Sequence, residues 1–308
     1  MLEVRDLEKS YGEREALRGI SFQVREGEIF GLLGPNGAGK TTAVSIIATL
    51  LRPDSGRVLY EGRDVFSNLK WWRRKIGFVP QEMAFYEELS AMENMLLWAS
   101  FYGLGRKEAR RRSAEILEVL ELSHRAKDRV STFSGGMKRR LNLALGIIHN
   151  PEFLILDEPT VGIDVQARVY IREFLRELAS RGTSMLYTTH QLEEAQQLCH
   201  RVAIMDAGEI LVEGKVEELL KKAEENITIV LRGDFPPMET LRPSLEKFSG
   251  KILSFSGEKV ALEVENEGAV AGLIKEMLEA GISLREVDIK KPDLEALFLK
   301  LTGRELRE

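Results

Sequence analysis

The feature that most constrains this sequence is the glycine-rich segment GPNGAGKT at residues 34–41. It matches the spacing of a P-loop, in which glycines let backbone N–H groups approach a polyphosphate. An apolar run at residues 29–33 precedes it, and a periodic apolar stretch from Val44 to Leu50 follows it. These flanks predict a buried strand and a helix, and the helix N-terminus adds positive potential at the phosphates. A chance glycine-rich turn is the alternative, and the flanking pattern argues against it.

Composition excludes several classes of protein. The 308 residues suffice for two domains, and 44% of them are hydrophobic, which is enough for real cores. The net charge of −5 argues against a general nucleic-acid binder, so we expect no direct nucleic-acid binding. The sequence has no apolar run of spanning length and no N-terminal signal-peptide pattern, so we expect a cytoplasmic chain. The single cysteine, Cys199, fits a reducing compartment and a small buried apolar position.

Strands and helices alternate along the first two-thirds of the sequence. Continuous apolar runs typical of buried strands lie at residues 153–156, 185–187 and 202–205. Helical patterns lie between them, at residues 166–180 and 191–199. This alternation predicts an α/β fold in which helices cover both faces of a parallel sheet.

The composition changes near residue 220, beyond which no nucleotide motif occurs. We expect a first domain at residues 1–220, with a helical subdomain at about 82–150, and a second at 221–308. A charged helix at residues 215–225 would connect them. The second domain reads as strand, helix, strand, strand, helix, strand, then a last helix, which predicts a small α+β ferredoxin-like fold. The alternative is that this block extends the main sheet.

Two carboxylates follow the apolar run at residues 153–156. Asp157 ends that predicted strand, where it would hold Mg²⁺ directly or through water, and Glu158 would polarise the attacking water. In the P-loop, Lys40 would contact the β- and γ-phosphates and the Thr41 hydroxyl would bind Mg²⁺. Many strands end in acidic residues, so this pair is informative only together with the P-loop.

A second glycine loop, Ser134-Gly135-Gly136, precedes an apolar helical run at residues 141–148. A serine that caps a helix N-terminus forms an anion site. Since one chain with one nucleotide seldom needs two such sites, we expect this one to serve a nucleotide held by another copy. An ordinary helix N-cap is the alternative.

With these motifs the chain resembles the ATP-binding subunits of ABC transporters over residues 1 to about 220. The resemblance is carried by GPNGAGKTT (34–42), Gln81, FSGGM (133–137), LILDEPT (154–160), Gly162-Ile163-Asp164 and His190. It implies a P-loop NTPase of the ABC ATPase type, with a parallel core, an antiparallel β subdomain and a helical subdomain. Residues 291–306 resemble the C-terminal extension of family members that drive ABC-2-type exporters.

The resemblance also implies roles for further residues. Tyr11 would stack on adenine, Gln81 would contact Mg²⁺ and the attacking water, and His190 would contact the γ-phosphate. Asp164 would lie in the loop that contacts a second subunit. The implied nucleotide-binding residues are Gly34, Pro35, Asn36, Gly37, Ala38, Gly39, Lys40, Thr41 and Thr42, with Ser134, Gly135 and Gly136 acting across the dimer. From the residues alone, Tyr11 could be a strand-end tyrosine and Gln81 an ordinary loop residue.

The implied function is ATP hydrolysis that powers a separate transmembrane permease, most simply an exporter. ATP and Mg²⁺ are the implied cofactors, and a homodimer would hold ATP between the P-loop and the Ser-Gly-Gly loop. The subunit would lie on the cytoplasmic face of the membrane. The alternative is a soluble non-transport ABC ATPase, but such proteins tend to carry two cassettes, coiled-coil insertions or basic arms. A pure ATP-dependent switch would not need Glu158.

Two departures from the family pattern stand in the second glycine loop. Phe133 replaces the usual leucine and Met137 the usual glutamine, while the Ser-Gly-Gly core is intact.

Separately, the basic segment at residues 70–75 predicts a solvated helix whose Trp71 and Trp72 pack inward. A nucleic-acid surface is the alternative for that segment.

Overall fold

The structure is a computed structural model that describes residues 1–224, 227–248, 251–290 and 293–303. The strands of residues 1–215 are β1 (Leu2–Tyr11), β2 (Arg14–Val24), β3 (Ile29–Leu33), β4 (Ser55–Tyr60), β5 (Arg63–Asp64), β6 (Ile76–Val79), β7 (Phe153–Asp157), β8 (Ser184–Thr189), β9 (Arg201–Asp206) and β10 (Glu209–Lys215). The helices of this stretch are α1 (Lys40–Ile47), α2 (Leu69–Lys75), α3 (Ala91–Phe101), α4 (Arg106–Val119), α5 (Gly135–Ile147), α6 (Val165–Ser180) and α7 (Leu192–Leu198).

The remaining described elements, in chain order, are α8 (Val216–Glu224), β11 (Ile227–Asp234), α9 (Met238–Phe248), β12 (Lys251–Ser256), β13 (Lys259–Val264), α10 (Glu267–Glu279), β14 (Ser283–Lys290) and α11 (Leu294–Thr302). Residue 225 of the expected connecting helix lies outside the described residues, as do 291, 292 and 304–306 of the segment that resembles exporter extensions.

The chain forms two compact units. The first comprises Met1–His190 and Leu198–Glu213, and the second comprises Gln191–Gln197 and Gly214–Glu308. The division falls at Gly214, inside β10, a few residues before the expected boundary at residue 220. Most of α7, which the sequence pattern placed with the first domain, groups with the second unit.

A six-stranded sheet in the order β10-β9-β3-β8-β7-β6 forms the centre of the first unit. The pairs β3–β9, β3–β8, β7–β8 and β6–β7 are parallel, and every residue of β3, β7 and β8 is buried. Such full burial is typical of parallel strands covered on both faces. Because carboxyl ends of parallel strands meet at one edge, the loops after β3, β7 and β8 come together there.

An antiparallel sheet in the order β2-β1-β4-β5 shares its core with the six-stranded sheet. Phe22 of β2 stacks on Phe30 of β3, with ring centroids 5.3 Å apart and planes only 4° from parallel. In α2, Trp72 is fully buried and its Nε1 donates to the Ile47 carbonyl at 2.8 Å, while Trp71 is half-buried. The tryptophans thus pack as the sequence predicts.

The helix after the P-loop is shorter than the apolar pattern predicts. It ends at Ile47, Thr49 adopts a left-handed φ of 58°, and the Leu50 N–H bonds back to Ser45 O at 2.9 Å. Leu50, predicted to lie on the apolar helix face, is instead 65% exposed. Since the left-handed turn reverses the chain, the side chain leaves the face that the 3.6-residue period assigned to it.

The second unit contains an antiparallel sheet in the order β12-β13-β11-β14. Helices α9 and α10 pack on a core that includes Leu231, Leu245 and Leu273, while Leu299 of α11 packs against Val230 and Ala261. This strand order and the alternation of elements are those of a ferredoxin-like fold with an added helix. Within the described parts of the chain, no helix is both long and apolar enough to cross a bilayer.

Candidate nucleotide-binding and hydrolytic site

The P-loop between β3 and α1 needs glycine at defined positions. Gly34 and Gly39 have φ values of 152° and 106°, in the region that side chains avoid. A Cβ on Gly34 would lie 2.2 Å from Met205 O, and one on Gly39 would lie 2.5 Å from Ala16 O. The loop therefore lies against neighbouring backbone, which holds it in one conformation.

Lys40 is the first residue of α1, and its side chain is almost fully buried inside the loop. Its Nζ donates to Gly34 O at 2.7 Å and to Pro35 O at 3.0 Å. Burial lowers the pKa of this ammonium group, while the charges of Glu158 and Asp157 act in the opposite direction. A buried cation that bonds mainly to loop carbonyls is available to bind an anion.

The carboxylate of Asp157 lies at the end of β7 beside two threonine hydroxyls. Thr188 Oγ1 of the neighbouring strand donates to Asp157 Oδ1 at 2.6 Å, and the Thr41 side chain also bonds this carboxylate. Burial raises the pKa of Asp157, and these hydrogen bonds oppose the rise. A carboxylate and a hydroxyl are hard oxygen donors, so Asp157 and Thr41 fit Mg²⁺.

A metal at this position would also need ligands from the nucleotide. Among the residues that the structure describes, no group of three or more His, Cys, Asp or Glu could hold a metal ion. Mg²⁺ at nucleotide sites commonly takes one or two carboxylates together with substrate phosphates and water. The donor set around Asp157 therefore suits a metal that arrives with a polyphosphate.

The carboxylate of Glu158 is where the predicted catalytic residues meet. Its Oε1 lies 3.0 Å from His190 Nδ1 and 3.7 Å from Lys40 Nζ, and its Oε2 lies 3.4 Å from Gln81 Nε2. Glu158 has a left-handed φ of 48°, which is strained for a residue with a side chain. Its N–H bonds to both Thr188 O and Thr188 Oγ1 at 3.1 Å, and these bonds hold the strained conformation.

An open pocket of about 290 Å³ lies over this cluster. Its lining residues are Tyr11, Arg14, Ala16, Asn36, Gly37, Gly39, Lys40, Thr41, Thr42, Gln81 and Glu158. Tyr11 is 53% exposed at the end of β1, so its ring is accessible for stacking. The structure thus brings predicted adenine-, phosphate- and water-contacting residues to one pocket, together with Arg14 and Ala16, which no sequence motif had indicated. The other predicted residues of this region do not line it: Gly34, Pro35, Ala38, Asp157 and His190.

The Ser134-Gly135-Gly136 loop does not line that pocket. Ser134 caps α5, where its side chain accepts the Met137 N–H at 3.3 Å, and it is exposed. Asp164 caps α6 and is also exposed, and a Cβ on Gly136 would lie 3.4 Å from its Oδ2. The two predicted dimer-contact elements are therefore neighbours at a surface outside the nucleotide pocket.

The structure also brings to the site residues that the sequence motifs did not indicate. The Thr188 hydroxyl donates to the Asp157 carboxylate and accepts the Glu158 N–H. In the sequence, the only sign that Thr188 belongs to the site is its position two residues before His190. Arg139 and Asn142 are buried polar residues on α5, 3% and 2% exposed, and they bond the loop that contains Gln81. In the sequence, the available signal was the position of these two polar residues, with Arg139 just before the apolar run at residues 141–148 and Asn142 within it.

Comparison with known proteins agrees with this geometry. The family model described as ABC transporter matches residues 17–161. The linearmycin resistance ATP-binding protein LnrL of Bacillus subtilis (strain 168) is 40% identical, with 100% of both chains covered. The chain belongs to the ABC transporter ATP-binding proteins. It is accordingly an ATP-binding and ATP-hydrolysing subunit.

Other ABC relatives cover almost the whole chain. The daunorubicin resistance ATP-binding protein DrrA3 of Streptomyces coeruleorubidus is 40% identical over 97% of this chain and 95% of its own. The Nod factor export ATP-binding protein I of Burkholderia thailandensis (strain ATCC 700388 / DSM 13276 / CCUG 48851 / CIP 106301 / E264) is 38% identical over 100% and 98%. The second unit is therefore shared with ABC relatives of similar length.

Solved ABC cassettes match the fold of a large part of the chain. A dimeric bacterial ABC transporter cassette has a TM-score of 0.65 and 30% identity, and covers 70% of this chain and 98% of its own. The same cassette in a post-hydrolysis state with ADP and Pi gives the same values. The P-loop ABC ATPase fold predicted from the sequence is confirmed.

Proposed function

We propose that this ABC subunit hydrolyses MgATP at the pocket over Glu158 and drives a membrane exporter. The observation that carries the proposal is the meeting of Lys40, Gln81 and His190 at the Glu158 carboxylate, within 3.7 Å. These residues lie far apart in sequence, yet they come together beside the P-loop. Such a constellation is what water attack on a bound phosphoryl group requires.

Each residue has a defined part in the proposed reaction. Lys40 and His190 place positive or polar groups where charge develops on the γ-phosphoryl oxygens. Glu158 polarises the attacking water, which contributes roughly 10²–10⁴-fold to the rate. Mg²⁺, held by Asp157 and Thr41, would neutralise phosphate charge. Gln81 hydrogen-bonds the Glu158 carboxylate, so it is placed to sense the water and the metal.

We further propose that two copies hold ATP between them. The exposed Ser134 loop caps a helix N-terminus, which favours an anion, yet it lies outside this chain's own nucleotide pocket. The similarity to a dimeric cassette supports an arrangement in which the loop contacts a nucleotide on the second subunit. ATP would then stabilise the dimer by mass action, and hydrolysis would release it.

The hydrolytic assignment is tested with Glu158→Gln, which is almost isosteric and removes only the charge. We expect ATP affinity by calorimetry to stay within a few-fold, turnover to fall by about 10²–10⁴-fold, and MgATP to produce a dimer in light scattering. Glu115→Gln is the control, because Glu115 is an exposed partner of Arg111 on α4. Turnover at the parent rate in Glu158→Gln would overturn the assignment.

Export is the direction we propose for the transported compound. The relatives above are named for resistance to linearmycin and daunorubicin and for Nod factor export. Movement of a compound out of the cell accounts for the export named in one relative and for the resistance named in the other two. We place the subunit on the cytoplasmic face of the membrane, where ATP is available, with the compound selected by the permease.

We propose that a helix of the permease docks in a surface groove of the first unit. Its volume is about 910 Å³, and it is lined by Ala48, Leu50, Leu69, Lys70, Arg73, Arg74, Ile76, Phe78, Pro80, Ala84, Trp98, Ser100, Phe101, Tyr102 and Gly103. Leu50 and Phe101 both line this groove and are 65% and 68% exposed, and exposed apolar side chains grouped at one surface mark an interaction site. The lining carries three cations and no carboxylate, so the partner segment should present an apolar face and acidic side chains.

Docking is tested by co-expressing the chain with a multi-span membrane protein from a neighbouring reading frame, the expected permease. Arg74→Glu should abolish co-purification with that protein, since it places a like charge opposite the acidic segment, while ATPase activity of the isolated subunit stays unchanged. Arg111→Glu, on the exposed face of α4 outside the groove, is the control. Undiminished co-purification of Arg74→Glu would reject the groove as the docking site, whereas failure of the parent chain to co-purify with the membrane protein would favour a soluble, non-transport role.

A further inference from the structure

Helix α5, which begins at the Ser-Gly-Gly loop, carries two buried polar residues on one face. Arg139 and Asn142 are three positions apart, so their side chains project from the same side of the helix. They are 3% and 2% exposed, among neighbours such as Leu141 and Leu145 that are apolar. Buried polar groups at such positions need hydrogen-bond partners, and the partners identify what they hold.

The partners of these two side chains are backbone groups of the loop after β6. Arg139 Nη1 donates to Gln81 O at 2.9 Å and to Pro80 O at 3.4 Å. Asn142 Nδ2 donates to Pro80 O at 3.1 Å, and its Oδ1 accepts the Ala84 N–H at 3.1 Å. Residues 80–84 are thus held at both ends by α5, on either side of the Gln81 side chain.

Arg139 also bonds the loop that follows Glu158. Its Nη2 donates to Val161 O at 3.3 Å, so one guanidinium bridges the Gln81 loop and the loop that leads to Asp164. The planar fork of an arginine can bond two carbonyls in different directions at once, which a lysine ammonium does less well. The side chain therefore connects three functional segments: the Ser-Gly-Gly helix, the Gln81 loop and the loop at Val161.

Burying this guanidinium is unfavourable unless it serves a purpose. Burial lowers the pKa of Arg139, and the charges of Tyr187, Glu158 and Asp157 act against the decrease. Its Nε has no hydrogen-bond partner in the part of the chain that the structure describes. A well-packed apolar residue is often as stabilising as a buried charge, so packing alone does not account for an arginine here.

We propose that Arg139 and Asn142 are positioning residues for ATP hydrolysis, which couple the Ser-Gly-Gly helix to Gln81 and thereby to Glu158. Gln81 Nε2 lies 3.4 Å from Glu158 Oε2, so displacement of residues 80–84 moves the amide away from the carboxylate. When the Ser-Gly-Gly loop binds a nucleotide on a second copy, movement of α5 passes directly to Gln81. The inference rests on the proposed roles of Gln81 and Glu158.

The first test uses Arg139→Met and Arg139→Lys on the full chain, assayed for MgATP binding and steady-state hydrolysis. For Arg139→Met we expect ATP affinity within about twofold, an unchanged KM, and a kcat lowered about tenfold or more, because charge-assisted bonds to two loops are lost. Arg139→Lys should recover part of that loss. The control is Arg140→Met, since Arg140 bonds Leu120 O and Glu121 away from the site.

The second test asks whether Asn142 acts through Gln81. Asn142→Leu alone should lower kcat about fivefold to tenfold, but it should cause no further loss in a Gln81→Ala background, because the two act in one chain of contacts. Additive losses would overturn the proposal, as would a parent kcat in folded Arg139→Met or Asn142→Leu. Lost ATP affinity or a collapsed melting temperature in both variants would show a merely structural role and also overturn it.

The same measurements separate this inference from the proposed function. If Glu158→Gln hydrolyses ATP at the parent rate, the assignment of the hydrolytic site is wrong. If Glu158→Gln is inactive while Arg139→Met and Asn142→Leu turn over normally, the site stands and only the coupling through α5 is rejected.

Discussion

Glu158 has a left-handed backbone, which places its carboxylate among three polar side chains. A backbone conformation strained in this way costs roughly 1–3 kcal/mol. In this protein two hydrogen bonds from the Glu158 N–H to Thr188 hold the conformation. Because His190 follows Thr188 by two residues, the strand that fixes the Glu158 backbone also supplies the histidine that contacts its carboxylate. A single strand end therefore positions both groups.

His149 illustrates a titratable residue kept neutral by its surroundings. Its ring is stacked on Tyr102, with centroids 3.6 Å apart, and its Nε2 lies 2.7 Å from Ile76 O. The pKa of His149 is lowered to about 4: burial is the largest cause and the charge of Arg112 acts in the same direction, while the hydrogen bond to Ile76 O opposes them. The unfolded chain therefore takes up a proton near pH 6.5, well before the folded chain does.

From this difference we predict that His149 makes the protein less stable in acid. Its contribution to stability is present above about pH 6.5 and is lost as the pH falls towards 4, by roughly 1–2 kcal/mol at pH 5. His149→Phe keeps a stacking ring and removes the titration, so denaturant unfolding should show a smaller loss of stability between pH 7 and pH 5. His124→Gln, at an exposed site, should keep the parent's pH dependence.

At the scale of elements, two helices begin with the same cap but differ in their surroundings. Ser90 before α3 has φ and ψ of −70° and 164°, and Ser134 before α5 has −66° and 163°. Ser90 accepts the Glu93 N–H, and the Glu93 carboxylate accepts the Ser90 N–H, which completes a capping box. Ser134 is exposed. Of these two serines, only Ser134 lies in the loop that we propose contacts the nucleotide on a second subunit.

This pair gives a matched prediction. Ser90→Ala and Ser134→Ala should each lower the free energy of unfolding by about 0.5–2 kcal/mol, because each removes an N-cap. Only Ser134→Ala should weaken the MgATP-dependent dimer of the Glu158→Gln protein, measured by light scattering as a function of concentration. Equal weakening by both substitutions would mean that Ser134 acts as a helix cap and nothing more.

At the scale of the whole molecule, the nucleotide pocket belongs entirely to the first unit. All of its lining residues lie before residue 190, and the second unit has its own core around Leu231 and Leu245. Helix α7, directly after His190, groups with the second unit, where Gln196 Oε1 accepts the Leu294 N–H at the start of α11. The second unit thus includes the helix that follows a proposed catalytic residue.

We predict that a chain truncated after residue 225 stays folded and binds ATP with less than a tenfold loss, about 1.4 kcal/mol. Its α7, deprived of α11 and only seven residues long, should become sensitive to protease, because so short a helix is not stable by itself. Calorimetry and limited proteolysis beside the full chain measure both effects. Insolubility, or a larger loss of affinity, would place the second unit in the core fold and contradict the proposed domain division.

The sequence alone determined the features that depend on neighbours along the chain. The P-loop, the Asp-Glu pair after β7, the Ser-Gly-Gly cap and the order of elements in the second unit follow from local spacing and periodicity. With the family resemblance, these motifs also predicted the residues of the pocket around Lys40 and Glu158, apart from Arg14 and Ala16. Local patterns have this power because glycine geometry, caps and strand periods act within a few residues.

Only the tertiary structure decided which distant groups meet. Arg139 reaching both Gln81 O and Val161 O, and Thr188 bonding Asp157, depend on the register of strands and on helix packing. Likewise, Leu50 is exposed because Thr49 reverses the chain. The physical reason is that a side chain's partner is set by packing across elements, and hydrophobic periodicity specifies a face but not the particular group that the face contacts.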